Sequence, residues 1–120
     1  EQGLKPIAET AASRWFTDTF IQSQATIADT LSNDLAASSA EGYANCCEAL
    51  AKADLREQLK DITVPVLIVA GIQDPVTPLT DGQFMLDHIP HAQMFEINAS
   101  HISNIECPNE FNQAVQRFIA

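Results

Sequence analysis

Two titratable side chains, Asp74 and His101, each follow a predicted strand and could act as a pair. Asp74 comes directly after an apolar, β-branched run, and His101 comes just past the next run of this kind. The carboxyl ends of parallel strands meet at one edge of a sheet, where ligands bind. An aspartate that accepts the Nδ1 proton of a histidine fixes the tautomer that a general base needs. The spacing is therefore consistent with an acid–base pair.

Each of these residues also has an ordinary structural interpretation. Asp-Pro is a common start of a turn, in which the side chain of Asp74 would bond to its own backbone. A histidine in a loop, such as His101, is commonly a solvated residue. The residues alone leave both interpretations open.

The remaining candidates for chemistry are weaker. His88 and His91 are separated by a proline and lack a third ligand, so no metal site is expected. Cys46 and Cys47 are predicted to be small core residues on one helix face. Cys107 would need a neighbouring base to act as a nucleophile, and the local sequence offers none.

The elements that would position Asp74 and His101 alternate between strand and helix. Residues 64–70 form a continuous apolar run typical of a strand buried on both faces, and residues 92–97 form a second strand. Helices are predicted over residues 79–89 and from Pro108 onward. The face that the last helix would bury consists of Phe111, Ala114, Val115, Phe118 and Ile119. This order predicts an α/β fold with a parallel sheet.

The first half of the chain, residues 1–62, shows only helical periodicity. The stripe of Ile27, Leu31 and Leu35 indicates one helix. Ser38 with Glu41 is the spacing of a capping box, which predicts the start of another. Its buried face would consist of Tyr43, Cys46, Cys47, Leu50 and Ala51. A last helix, expected to start at Asp54, would turn Leu55, Leu59 and Ile62 inward.

Two parallel strands are too few for a stable sheet, because both would carry an open edge. We therefore expect the chain to be the end of a larger sheet and a fragment of a longer protein. Its first residue is not methionine, in line with that expectation. The open edges also predict self-association of the isolated chain.

The composition excludes several classes of partner. Six basic against sixteen acidic residues give a net charge of −10, which opposes binding to nucleic acid or to an anionic membrane surface. The longest apolar run is interrupted by proline and glycine and is shorter than the roughly 20 residues of a membrane span. Three cysteines without a disulfide framework, and no visible signal peptide, predict a cytoplasmic protein.

Four stretches of the sequence carry a resemblance to a known family. They are Arg14-Trp15-Phe16-Thr17; Glu41-Gly42-Tyr43 through Cys46-Cys47-Glu48-Ala49-Leu50 to Asp54-Leu55-Arg56; Val64-Pro65-Val66 through Ala70-Gly71 to Asp74-Pro75 and Thr77-Pro78; and His101-Ile102-Ser103-Asn104-Ile105-Glu106 with Pro108. Together they resemble the C-terminal part of the 3-oxoadipate enol-lactonases, a family of α/β-hydrolases. The first two stretches are the more specific ones, because cap sequences vary greatly between hydrolase families, and the other two are common to many α/β-hydrolases.

The resemblance implies a function and a set of roles. Asp74 would be the acid and His101 the base of a catalytic triad, and Trp15 and Arg14 would face the substrate from the cap. The reaction would be hydrolysis of an enol-lactone to 3-oxoadipate in aromatic catabolism, the β-ketoadipate pathway, without a cofactor. Residues 1–62 would be part of a helical cap, and residues 63–120 the C-terminal part of the hydrolase core.

One required part is missing from the sequence. The nucleophile of an α/β-hydrolase lies in a G-x-S-x-G turn that precedes the acid and the base. The four glycines, at positions 3, 42, 71 and 82, do not bracket a serine at that spacing. The chain alone is therefore expected to be inactive, and its partner would be the N-terminal half of the parent hydrolase.

Two alternatives remain open. Another capped α/β-hydrolase, such as an esterase or a carbon–carbon bond hydrolase, would share Asp74 and His101 and differ in the cap pocket. A non-catalytic interaction module would keep the sheet and would not depend on either residue.

Overall fold

The computed structural model describes residues 3–120, in which a helical half is followed by a small α/β unit. The described part of the helical half contains α1 (Lys5–Ala8), α2 (Ala12–Trp15), α3 (Asp18–Ser23), α4 (Ala25–Ala37), α5 (Ala40–Lys52) and a 3-10 helix (Arg56–Asp61). The α/β unit contains β1 (Val66–Gly71), α6 (Leu79–His88), β2 (Ala92–Ile97), α7 (Ser103–Glu106) and α8 (Pro108–Ile119). The predicted α/β class with strand, helix, strand and helix is confirmed.

The sheet consists of β1 and β2, which pair in parallel with Val66 opposite Ala92 and Gly71 opposite Ile97. Helix α6 connects the two strands and packs against both. Side chains alternate between the faces of a strand, and a Cβ at Gly82 of α6 would contact Ile68 and Met94. Helix α8 also packs on both strands, and its Ala114 and Phe118 share a small cavity with Leu67 and Phe95 of the opposite face. Helices therefore cover both faces of the sheet.

The chain exposes more surface than a compact domain of its mass. Its accessible surface is 8203 Å², against roughly 6,400 Å² for a folded monomer of this size. Its radius of gyration is 16.2 Å, against about 14 Å for a compact domain of this length. The buried side chains form one small cluster around Phe16 and Ala28 and another around the sheet, with Ile68 and Ile97. Both strands accordingly keep an open edge.

The predicted buried face of α5 is wrong for this chain. Cys46, Cys47 and Ala51 are exposed, and Leu50 is 76% exposed. Helix α5 has no extensive contact with any other described element. The periodicity identifies the apolar face of the helix, but no element among residues 3–120 packs extensively on that face.

Three smaller expectations about the helical half also differ from the structure. The N-cap of α5 is Ser39, whose Oγ accepts a hydrogen bond from the backbone N–H of Gly42 at 3.1 Å, and Ser38 instead ends α4. The segment after Asp54 forms a 3-10 helix, which leaves Leu55 59% exposed. Ile27 of the predicted stripe is 39% exposed, because the inward face of α4 is centred on Ala28.

At the C-terminus, α8 buries Ala114, but Ile119 in its last turn is 74% exposed. Among residues 3–120, no helix combines the length and the apolar character that crossing a membrane requires.

Candidate active site

Asp74 and His101 lie side by side at the carboxyl end of the sheet. Asp74 follows β1 and His101 follows β2, and the Nδ1 atom of His101 lies 2.9 Å from Oδ2 of Asp74. The side chain of Asp74 is 5% exposed and that of His101 is 34% exposed. The juxtaposition expected from the spacing is therefore present in the structure.

The environment of Asp74 favours its ionised form. Burial is the largest single effect and acts to raise the pKa of this carboxyl, but hydrogen bonds from His101, Thr77 and Val76 outweigh it. The net result is a pKa below the usual value for aspartate. Since an ionised carboxylate has no proton to give, Nδ1 of His101 must be the donor in the pair. The Nε2 atom of the neutral ring then keeps its lone pair, as a general base requires.

Asp74 makes both the local turn and the contact with His101, and it uses a different carboxylate oxygen for each. Oδ1 accepts the backbone N–H groups of Val76 and Thr77 at 2.7 and 3.0 Å, which is the local turn predicted for Asp-Pro. Oδ2 accepts from His101 and, at 2.7 Å, from the Thr77 hydroxyl. The turn therefore orients the oxygen that faces His101.

The lowered pKa of Asp74 predicts a specific dependence of stability on pH. Ionised Asp74 stabilises the fold above the pKa of an unfolded aspartate, about 3.9. That contribution is lost as the pH falls through the lower pKa of the folded state. Below about pH 4, the free energy of unfolding should fall more steeply for the wild type than for Asp74→Asn. Urea denaturation at several pH values measures both slopes.

The matched control for this prediction is Asp29→Asn, which changes an exposed carboxylate on α4. It should keep the wild-type slope. Equal slopes for the wild type and Asp74→Asn would contradict a lowered pKa of Asp74 in the folded chain.

The loop that carries His101 is held closely against the end of β1. Ala99 and Ser100 are buried at 0% and 2% exposure, and the carbonyl oxygen of Ala99 accepts the backbone N–H of Gln73 at 3.0 Å. The chain can pass this closely only because residue 71 is glycine. A Cβ at Gly71 would lie 2.6 Å from the Ala99 carbonyl oxygen and closer still to that of Ser100.

Gly71→Ala should therefore destabilise the chain and displace the His101 loop. Both obstructing atoms belong to backbone and cannot rotate away, so we expect a loss of about 1–3 kcal/mol in the free energy of unfolding. Urea denaturation followed by circular dichroism measures it. Gly42→Ala is the control, since a Cβ there meets only Ser39 at 3.5 Å and alanine suits a helix better than glycine. A Gly71→Ala protein as stable as the wild type would show that the loop is not constrained as described.

The two predicted cap residues, Trp15 and Arg14, lie on α2 beside this loop. The carbonyl oxygen of Trp15 accepts the backbone N–H of Ile102 at 3.0 Å, so its backbone adjoins that of the residue after His101. The Arg14 guanidinium bonds within its own segment, to Thr10 Oγ1 at 2.7 Å and to the carbonyl of Ile7 at 3.3 Å. A contact of either side chain with substrate stays a prediction.

A cavity of about 780 Å³ opens beside Asp74 and His101. It runs along β1 and is bordered by α6 and the segment of the 3-10 helix, while no residue of β2 lines it. Its wall is shared between residues 68–71 of β1, the facing side of α6, the segment of the 3-10 helix, and Asp74, Thr77 and His101. We interpret the part along the open edge of β1 as the place where another strand of a larger sheet would pair.

The weaker candidates do not form further sites in the described part of the chain. Burial is the largest effect that raises the pKa of the Cys107 thiol, and nearby Glu110 and Glu106 add to it, so this thiol is not an activated nucleophile. The ring of His88 stacks on Phe84. Residues 3–120 contain no cluster of three side chains suited to hold a metal ion.

Two residues of the site were not identified from their chemistry at the sequence level. Thr77 bonds to Oδ2 of Asp74, and Glu106 bonds to the backbone of Ser100, beside His101. The signal for Thr77 is its place three residues after an Asp-Pro turn. Glu106 gives no signal by type or spacing, because its partners are set by the tertiary fold.

Comparison with known proteins shows what this chain is similar to. No family model matches it. It is 60% identical to 3-oxoadipate enol-lactonase 2 of Acinetobacter baylyi over 97% of this chain and 43% of that protein. It is 47% identical to 3-oxoadipate enol-lactonase 1 of the same organism over 98% of this chain and 44% of that protein.

The same similarity is present in solved structures. The chain superposes on the enol-lactonase of Burkholderia xenovorans LB400 with a TM-score of 0.92 and 32% identity, covering 95% of this chain and 44% of that one. The resemblance inferred from the four sequence stretches is confirmed, as is its restriction to a C-terminal part. The chain spans less than half the length of the curated relatives it matches.

Proposed function

We propose that this chain, which carries the C-terminal part of an α/β-hydrolase fold, supplies the acid and the base of a serine-type lactone hydrolase. The observation that carries the proposal is the 2.9 Å contact between Asp74 and His101 at the ends of adjacent parallel strands. The names of the relatives supply the substrate class, an enol-lactone that opens to 3-oxoadipate. In this proposal residues 1–62 belong to the cap and residues 63–120 to the core.

The proposed mechanism follows from the donor and acceptor assignments. Nε2 of His101 takes the proton of the serine hydroxyl as its oxygen attacks the lactone carbonyl. Collapse of the tetrahedral intermediate breaks the ring C–O bond, and His101 gives the proton to the departing enol oxygen, which leaves a ring-opened acyl-enzyme. His101, neutral again, takes a proton from the water that attacks the acyl carbon and returns it to the serine oxygen as the product acid is released. Asp74 stays ionised throughout, holds the tautomer of His101 and stabilises its protonated form.

The nucleophile and the oxyanion-hole donors belong, in this proposal, to the N-terminal half of the parent hydrolase. One oxyanion donor is the backbone N–H after the nucleophile, so both parts come from the same segment. The open edge of β1 and the exposed face of α5 are the surfaces that this half would cover. The cationic side chain of Arg14 on α2 would suit the free carboxylate of the substrate in the complete hydrolase.

The experiment that tests the proposed function is a substrate panel on the hydrolase that contains this chain. The panel compares the enol-lactone with aryl esters and with a vinylogous diketone, the kind of substrate that carbon–carbon bond hydrolases cleave. Preferred turnover of the enol-lactone is the expected result. Preferred turnover of either other class would assign the chain to a different capped α/β-hydrolase.

A further inference from the structure

The carboxylate of Glu106 joins two segments that are far apart in sequence. Its Oε2 atom accepts the backbone N–H of Ser100 at 2.8 Å. Its Oε1 atom accepts the backbone N–H of Thr17 at 3.3 Å and also the Thr17 hydroxyl. One side chain therefore holds both the loop that carries His101 and the junction between α2 and α3.

The bonding suits a carboxylate, which has two acceptor oxygens, better than an amide. All three groups that face Glu106 are donors, and they approach both of its oxygens, whereas an amide has only one acceptor oxygen. Thr17 uses its hydroxyl proton for Glu106 and a lone pair for the backbone N–H of Phe20, at 3.3 Å, as the N-cap of α3. Ser100 is 2% exposed, so water could not readily take the place of the Glu106 oxygen that accepts its backbone N–H.

The residue on the other side of His101 is tied to the same helical segment. The backbone N–H of Ile102 donates to the carbonyl oxygen of Trp15 at 3.0 Å. The backbone is thus held on both sides of His101, at Ser100 through Glu106 and at Ile102 directly. The ring of His101 projects from between these two points toward Asp74.

We propose that Glu106 is a positioning residue. It holds His101 in place beside Asp74 and fixes the position of His101 relative to the helical segment that carries Arg14 and Trp15. This inference rests on the proposed function for its catalytic consequence, but its structural part does not. The hydrogen bonds of the Glu106 side chain go to Thr17 and Ser100, and none goes to Asp74 or to His101. It acts through the backbone of Ser100 and through Thr17.

The test has a structural readout in this chain. In Glu106→Gln, one of the two oxygens becomes an amide nitrogen that faces a donor. We expect the Ser100 amide to exchange with solvent about tenfold faster or more, and the Nδ1 proton signal of His101 in NMR spectra to be lost. The amide signals of β1 and β2 should stay at their wild-type positions. Thr17→Val replaces the hydroxyl by a methyl group, which removes its bond to Glu106 and also the N-cap bond from Phe20, but keeps the backbone N–H of Thr17 on Glu106. It should cause a smaller change at Ser100 and His101 than Glu106→Gln, and Thr17→Ser should keep the wild-type spectrum.

The matched control is Glu110→Gln, the same change at an exposed carboxylate in the first turn of α8. In the hydrolase that contains this chain, Glu106→Gln should lower kcat by about 10- to 100-fold with a much smaller change in KM. A protected Ser100 amide and an intact His101 signal in Glu106→Gln would overturn the inference. If Glu106→Gln does not fold, Thr17→Val with wild-type signals would overturn it equally.

These readouts separate the inference from the proposed function. Loss of the His101 signal in Glu106→Gln supports the positioning role even if the hydrolase does not act on lactones. Wild-type signals reject that role even if it does.

Discussion

Replacing His101 by alanine in the hydrolase that contains this chain should lower kcat/KM for the lactone by about 10⁴- to 10⁶-fold. The loss is large because Nε2 of His101 is proposed to move the proton in both acylation and deacylation. Asp74→Asn should lower kcat/KM by about 10⁴-fold, because an asparagine amide no longer holds His101 in the required tautomer. Steady-state kinetics on purified, folded variants measures both effects.

Matched controls separate a catalytic effect from a general one. His91→Ala removes an exposed histidine that lies just before β2, and it should leave kcat/KM near the wild-type value. The double variant of Asp74 and His101 should be little worse than His101→Ala alone, because the two residues act as one unit. If Asp74→Asn and His101→Ala both leave the function of the parent protein intact, the chain is a non-catalytic interaction module.

The 120-residue chain alone should show no lactone hydrolysis above the rate in buffer. It contains the proposed acid and base, Asp74 and His101, but no G-x-S-x-G turn from which a serine could attack. General-base activation of water by His101 without oxyanion donors would leave the developing negative charge on the lactone oxygen unstabilised. A continuous assay that follows loss of the enol-lactone, with the chain at high concentration, measures this.

The control for that experiment is the same preparation of chain with His101→Ala. Turnover by the wild-type chain that disappears in this variant would contradict the account, because it would show that residues 1–120 suffice for the reaction. Light scattering on the same sample tests the expected self-association through the open sheet edges. A monodisperse monomer would contradict that expectation.

The elements of the α/β unit were predictable from sequence because each is determined by local chemistry. The β-branched run predicts β1, with Pro65 just before its first paired residue, and the next alternation predicts β2 at residues 92–97. Pro108 predicts the start of α8. The pairing of Asp74 with His101 followed from topology, because consecutive parallel strands linked by one helix place their carboxyl ends together.

The features that sequence could not predict depend on parts of the structure remote in the chain. The apolar face of α5 was identified, but burial requires a partner, and Leu50 meets none among the described residues. Glu106 and Thr17 are 89 positions apart, so no local pattern connects them. The choice of Ser39 over Ser38 as the N-cap of α5 depends on where α4 ends.

The sequence encoded in frame before Glu1 decides whether Asp74 and His101 belong to a hydrolase. We expect a strand, a G-x-S-x-G turn and a following helix there, which would provide the nucleophile for Asp74 and His101. Unrelated sequence at that place, or a start codon directly before Glu1, would leave the pair without a nucleophile and contradict the proposed hydrolase.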